Sequence, residues 1–97
     1  MLTDALSKEL AEHNINVNRV APGAIWTPMM ESALRHGTPQ AEDLWQAYLA
    51  TCKALCTFGR EQTPQDVASA MLFLVSEESR NITGYVIYID GGHKRAM

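Results

Sequence analysis

The chain has 97 residues and no long apolar run. Nothing in it approaches the ~20 consecutive apolar residues that a helix needs to cross a bilayer, so a membrane is not an expected partner. The first residues, Leu2-Thr3-Asp4-Ala5-Leu6-Ser7-Lys8-Glu9, are charged and carry no apolar secretion core, so a cytoplasmic location is expected. Basic residues are few: eight Lys and Arg against eleven Asp and Glu, for a net charge of −3. They are scattered, whereas a duplex nucleic-acid binder needs a basic patch that displaces counterions, so nucleic acid is not expected either. Cysteine is scarce too. Cys52 and Cys56 stand i,i+4 with no Cys-x-x-Cys pair, and His13, His36 and His93 lie far apart, so no metal site is expected. The two thiols read as small apolar side chains on one buried helix face. There is no internal repeat, low-complexity segment or linker, which leaves one small domain.

What is present is patterned. A 46% hydrophobic content is enough for a folded chain. Leu2, Leu6 and Leu10 fall on one face of a helix predicted over 2–12, with Asp4–Lys8 as a supporting i,i+4 pair and Thr3 or Asp4 as its cap. Asn14 suits a left-handed stop. Ile15 to Val20 is β-branched and closes at Pro22-Gly23, which predicts a strand over 15–20. Thr27-Pro28, Thr38-Pro39 and Thr63-Pro64 each place a cap before a proline, the usual opening of a helix. The first opens a short helix toward Arg35. The second leads into Leu44, Trp45, Tyr48, Leu49, Cys52, Leu55 and Cys56, a stripe of helical period within a helix predicted over 39–56. The third, with Asp66 in the first turn, opens a helix over 64–77 whose buried face is Val67, Met71, Leu74 and Val75. Tyr85 to Ile89 is a strand by composition. Two strands joined by a long helical crossover fit a parallel, right-handed βαβ unit, and so an α/β fold.

Two stretches carry a specific resemblance. One is Asn16-Val17-Asn18-Arg19-Val20-Ala21-Pro22-Gly23 followed by Ile25 and Thr27. The other runs from Gly59-Arg60-Glu61-Gln62-Thr63-Pro64-Gln65-Asp66-Val67-Ala68 through Ile82-Thr83-Gly84 to Asp90-Gly91-Gly92. In this order and spacing they resemble the C-terminal portion of the short-chain dehydrogenases/reductases, and the resemblance spans essentially all 97 residues. It implies the last two strands of a Rossmann-like doubly wound parallel sheet with flanking and lid helices, residues 1–97 forming a single partial domain. Ligands of such sheets bind outside the carboxyl ends of the strands.

The resemblance also implies a function. Pro22 and Gly23 would let the backbone approach a nicotinamide ring, and the backbone of Ile25 with the hydroxyl of Thr27 would hydrogen-bond its carboxamide. The cofactor would be NAD or NADP. Residues 26–58 match the family's substrate lid, so Trp26, Met29, Met30, Trp45 and Tyr48 would wall a pocket for a small alcohol or carbonyl substrate, small polyols or sugar alcohols among them. Homo-oligomerisation would use the helix after Thr63, the last strand and the Leu2 helix.

The departures are as informative. The sequence holds no Gly-x-x-x-Gly-x-Gly loop to seat a pyrophosphate at a helix N-terminus. It holds no Tyr-x-x-x-Lys pair, because Tyr48, Tyr85 and Tyr88 are followed four residues on by Cys52, Ile89 and Gly92. No catalytic residue is therefore assigned. The expectation is a C-terminal portion of an NAD(P)-dependent alcohol/carbonyl oxidoreductase, inactive alone. The alternative is a non-catalytic oligomerisation or interaction module of the same ancestry.

Overall fold

The computed structural model describes residues 1–37 and 43–93. Helix α1 (Leu2–Leu10) runs into a 3-10 turn at Ala11–His13 and stops at Asn14, whose φ of 58° and ψ of 41° are the left-handed values foreseen for it. Strand β1 is Arg19–Pro22. Helices α2 (Pro28–Gly37), α3 (Leu44–Leu55) and α4 (Pro64–Leu74) follow, then a 3-10 turn at Glu77–Ser79 and strand β2 (Val86–Ile89). The two strands pair in parallel, Arg19 opposite Val86 through Pro22 opposite Ile89, with α2, α3 and α4 forming the crossover. This is the α/β arrangement expected.

Local chemistry sets the boundaries. Thr63 and Asp66 form a reciprocal capping box: the Asp66 N–H donates to the Thr63 hydroxyl at 3.2 Å and the Thr63 N–H to the Asp66 carboxylate at 2.9 Å. Asp4 and Lys8 form the foreseen ion pair at 3.1 Å. Neither Thr3 nor Asp4 caps α1, because the helix already begins at Leu2 and both lie inside its first turn.

Three other boundaries differ from the sequence reading. The first strand lies at 19–22 and not 15–20. Asn16 and Asn18 spend their side chains on the opposite turn: the Asn16 amide donates to the carbonyls of Arg80 and Ile82 at 2.9 and 2.8 Å, and that of Asn18 to Ile82 at 2.8 Å. Such bonds compete with a regular ladder. The lid helix starts at Leu44 with Asp43 as its cap, the carboxylate accepting from the N–H groups of Trp45 and Gln46. Thr38-Pro39 lies outside the described residues. The helix after Thr63 ends at Leu74, where Val75 leaves helical geometry.

Packing is thin. Among the described residues the buried apolar ones are Tyr48 and Cys52 of α3 and Cys56 at its C-cap; both thiols are free, and they are buried as the spacing suggested. Helix α4 packs across both strands, its Met71 and Leu74 lining a cleft with Val20. Along α1 the buried side chain is Ser7, seated on Gly84. Gly84 has a φ of 79°, and a Cβ there would lie 2.8 Å from the Ser7 hydroxyl, so this docking needs glycine twice over. The radius of gyration is 16.7 Å, against roughly 12–13 Å for a compact domain of this length. The chain is a slab of fold, open on more than one side.

Candidate functional site

The site is built where β1 ends. After Pro22 the backbone crosses to the neighbouring strand once more, the Gly23 N–H donating to the Ile89 carbonyl at 2.9 Å. It then leaves the sheet through Ala24, Ile25, Trp26 and Thr27 and enters α2. The ends of the strands are the place where an α/β sheet offers backbone groups to a ligand.

Gly23 is needed for a close contact within the chain. A Cβ at this position would lie 2.8 Å from both the Asp90 Cβ and the Gln62 Oε1, and 2.9 Å from the Asp90 Cα. The close neighbour is the turn after β2. Gly23→Ala is expected to destabilise the chain by roughly 1–3 kcal/mol, since Asp90 and Gln62 are buried and have little room to yield. A chemical denaturation curve of the two chains checks it.

Thr27 caps α2, its hydroxyl oxygen accepting from the Met30 N–H at 3.2 Å. As an acceptor in that bond it keeps its own O–H free to donate. Between the tied residues, Ile25 makes no backbone hydrogen bond among the described residues. A peptide N–H, a carbonyl and a hydroxyl donor therefore stand within three residues of one another at the strand end.

The aromatic residues gather behind this loop. Trp26 and Trp45 meet edge to face with centroids 5.2 Å apart, and Tyr48 lies 5.1 Å from Trp26 and 5.4 Å from Trp45. Met30 is half-buried, while Met29 is 82% exposed. Tyr48 has no exposed surface. Its hydroxyl donates to the Ala24 carbonyl at 2.8 Å, lies 3.2 Å from the Gln62 carbonyl, and accepts the Gln62 N–H at 2.9 Å. In this conformation it stands behind the wall that Trp26 and Trp45 present. Neither its place nor that of Gln62 was marked by the sequence pattern, in which an apolar stripe and a polar loop residue are ordinary.

Burial pushes the Tyr48 phenol from 10.0 up to about 12, and burial likewise raises the Cys52 thiol. Both stay neutral at physiological pH. Because the folded-state value lies above the unfolded one, the stability that Tyr48 contributes is whole below pH 10 and lost as pH rises through about 12. An alkaline loss of near-ultraviolet dichroism in that window is expected, reduced in Tyr48→Phe.

Comparison with known proteins fits this geometry. The family model described as enoyl-(acyl carrier protein) reductase matches residues 1–94. The chain is 43% identical over 91 residues to the 3-oxoacyl-(acyl-carrier-protein) reductase of Thermotoga maritima, covering 94% of this chain and 32% of that one. It is 38% identical over 96 residues to the (S)-acetoin-forming diacetyl reductase of Staphylococcus aureus, covering 94% and 35%. Among solved structures, L-sorbose reductase of Gluconobacter frateurii, complexed with NADPH and L-sorbose, superposes with a TM-score of 0.87 at 28% identity, covering all of this chain and 37% of that one. A 4-hydroxyisoleucine dehydrogenase complexed with NADH gives 0.76 at 28% identity, covering 99% and 36%. The chain belongs to the short-chain dehydrogenase/reductase family, whose members carry a Rossmann-type fold. It spans about a third of the length of the curated relatives it matches.

Proposed function

We propose that the chain forms the nicotinamide side of an NAD(P)-dependent alcohol/carbonyl oxidoreductase site, and that it has no turnover by itself. The observation that carries this reading is the pair of unspent groups at Ile25 and Thr27, set at the carboxyl end of a strand. A carboxamide presents one acceptor and two donor hydrogens. The Ile25 N–H and the Thr27 O–H suit its oxygen, and the Ile25 carbonyl suits its NH₂. The residues therefore fit the group. Pro22 and Gly23 hold the backbone close to the strand ends, so the ring would lie against the loop.

A bound nicotinamide would supply hydride transfer. The chain's own residues would orient the ring, and Trp26, Met29, Met30 and Trp45 would shield it from water on the substrate side. Tyr48 would back that wall. The substrate class is a small alcohol or carbonyl compound. That two structural neighbours are NADPH and NADH complexes supports a nicotinamide cofactor without choosing between the two forms.

The test is a chimera in which this chain replaces the matching third of the Thermotoga maritima reductase. It is expected to fold and to bind NAD(P)H. A folded chimera that binds neither cofactor contradicts the reading. A second reading, an oligomerisation module without catalysis, is favoured by the exposed apolar residues of α4, and in it the chimera would associate but bind no cofactor.

A further inference from the structure

We propose that Tyr48 is a positioning residue: its hydroxyl sets the ligand-facing loop 23–27 by binding alternate residues of that loop, directly and through the peptide of Gln62. The ligand named here rests on the nicotinamide reading above, but the positioning itself does not.

Several groups of the loop are held by hydrogen bonds. Gly23 is tied to Ile89 through its N–H. The Ala24 carbonyl accepts the Tyr48 hydroxyl at 2.8 Å. The Trp26 N–H donates to the Gln62 carbonyl at 3.3 Å, and the N–H of Gln62 donates to Tyr48 at 2.9 Å. Residues 24 and 26 are thus drawn inward by one phenol and one peptide. Within a trans peptide the carbonyl and the N–H point opposite ways. With the Ala24 carbonyl and the Trp26 N–H turned inward, the Ile25 N–H and the Ile25 carbonyl face the other way.

The hub is rigid for stated reasons. Tyr48 has no exposed surface, and its ring packs against both Trp26 and Trp45, which also touch each other. Gln62 is 4% exposed and joins the hub through its peptide; its side-chain amide, which donates to the Cys56 sulfur at 3.1 Å, takes no part in the bonds to the loop. Its Oε1 has no hydrogen-bond partner and abuts Gly23. Phenols and peptides exchange strong, directional bonds, and burial raises the cost of breaking them. Helix α3, which carries Tyr48, is therefore coupled to the loop by hydrogen bonds as well as by aromatic packing.

Amide hydrogen exchange on the ligand-free 97-residue chain tests this. In Tyr48→Phe the amides of Trp26 and of Gln62 are expected to exchange at least tenfold faster, while those of α4 and β2 keep their rates. A tyrosine that merely stabilised the fold would move every segment together. Gln62→Leu keeps the peptide at residue 62 and removes the unpaired acceptor, and it is expected to leave loop exchange unchanged. Equal acceleration across all segments, no acceleration in Tyr48→Phe, or the same local loosening in Gln62→Leu would each overturn the proposal. Should Tyr48→Phe fail to fold, the unsubstituted chain decides: a slowly exchanging Tyr48 hydroxyl proton supports the hub, and one that exchanges as fast as a free phenol overturns it. No cofactor enters these measurements, so they stand or fall separately from the nicotinamide reading.

Discussion

The purified 97-residue chain is expected to leave the absorbance of reduced nicotinamide unchanged with any panel of ketones, and that of oxidised nicotinamide unchanged with any panel of polyols. A positioned general acid or base is worth about 10²–10⁴ in rate, and none of the tyrosines is placed to act as one. Tyr48 is buried, holds its proton to about pH 12 and has its hydroxyl committed to backbone. Tyr85 and Tyr88 are exposed on and beside β2, with Ile89 and Gly92 where a lysine partner would stand. Orientation adds a larger factor, since holding reactants in register is worth an effective molarity of about 10⁵–10⁸ M. The sequence has no glycine-rich loop to fix a pyrophosphate and so to hold the dinucleotide in register. Reproducible turnover by the pure chain would overturn this account of its chemistry.

Self-association is the second large effect expected. Along α4 and at its C-cap, Met71 is 52%, Leu72 71%, Phe73 42% and Val75 81% exposed, and Leu2 and Tyr88 add to the open apolar surface. Covering one such side chain from full exposure is worth about 1.5–3 kcal/mol, so these four, already partly covered, together reach the lower end of the ~4–15 kcal/mol that association costs. Among the described residues strand β1 pairs with β2 alone, and the peptide groups on its other edge form a template for another strand. A two-stranded sheet is in any case a marginal unit. Sedimentation at low micromolar concentration is expected to show species larger than the monomer, and the double substitution Leu72→Glu with Val75→Glu is expected to shift them toward monomer or toward an unfolded chain. A cooperative, well-packed monomer of the unsubstituted chain would contradict the expectation.

The parts of the fold that were legible in the sequence are those decided locally. Thr63 and Asp66 announce a capping box, Asn14 a left-handed stop, and Val86 to Ile89 a strand, because each depends on a few adjacent residues. Strand β1 was misplaced because its start is set by Asn16 and Asn18 reaching carbonyls more than sixty positions away. The start of α3 was misplaced because two cap signals compete. Asp43, immediately before the apolar stripe, caps the helix, while the Thr-Pro pair upstream carries the stronger cap signature in the sequence. The site was legible only through resemblance. Pro-Gly and Thr-Pro are common as turn and cap, and Thr27 does act as a cap. The helical stripe in α3 indicated an apolar face but not that Tyr48 would be fully enclosed on it, nor that a polar Gln62 would be buried against it. Those facts depend on contacts between α3, the strand end and the loop before α4, which no local pattern encodes.

The central claim is that the loop from Pro22 to Thr27 faces the nicotinamide and nothing in this chain faces the adenosine. Nuclear Overhauser contacts in the chimera, loaded with NAD(P)H, test it most directly. The account predicts contacts from the nicotinamide ring protons to the methyl groups of Ile25 and Thr27, and none from the adenine protons to any residue of this chain. Adenine contacts to the loop, or a bound nicotinamide that touches neither Ile25 nor Thr27, would contradict it.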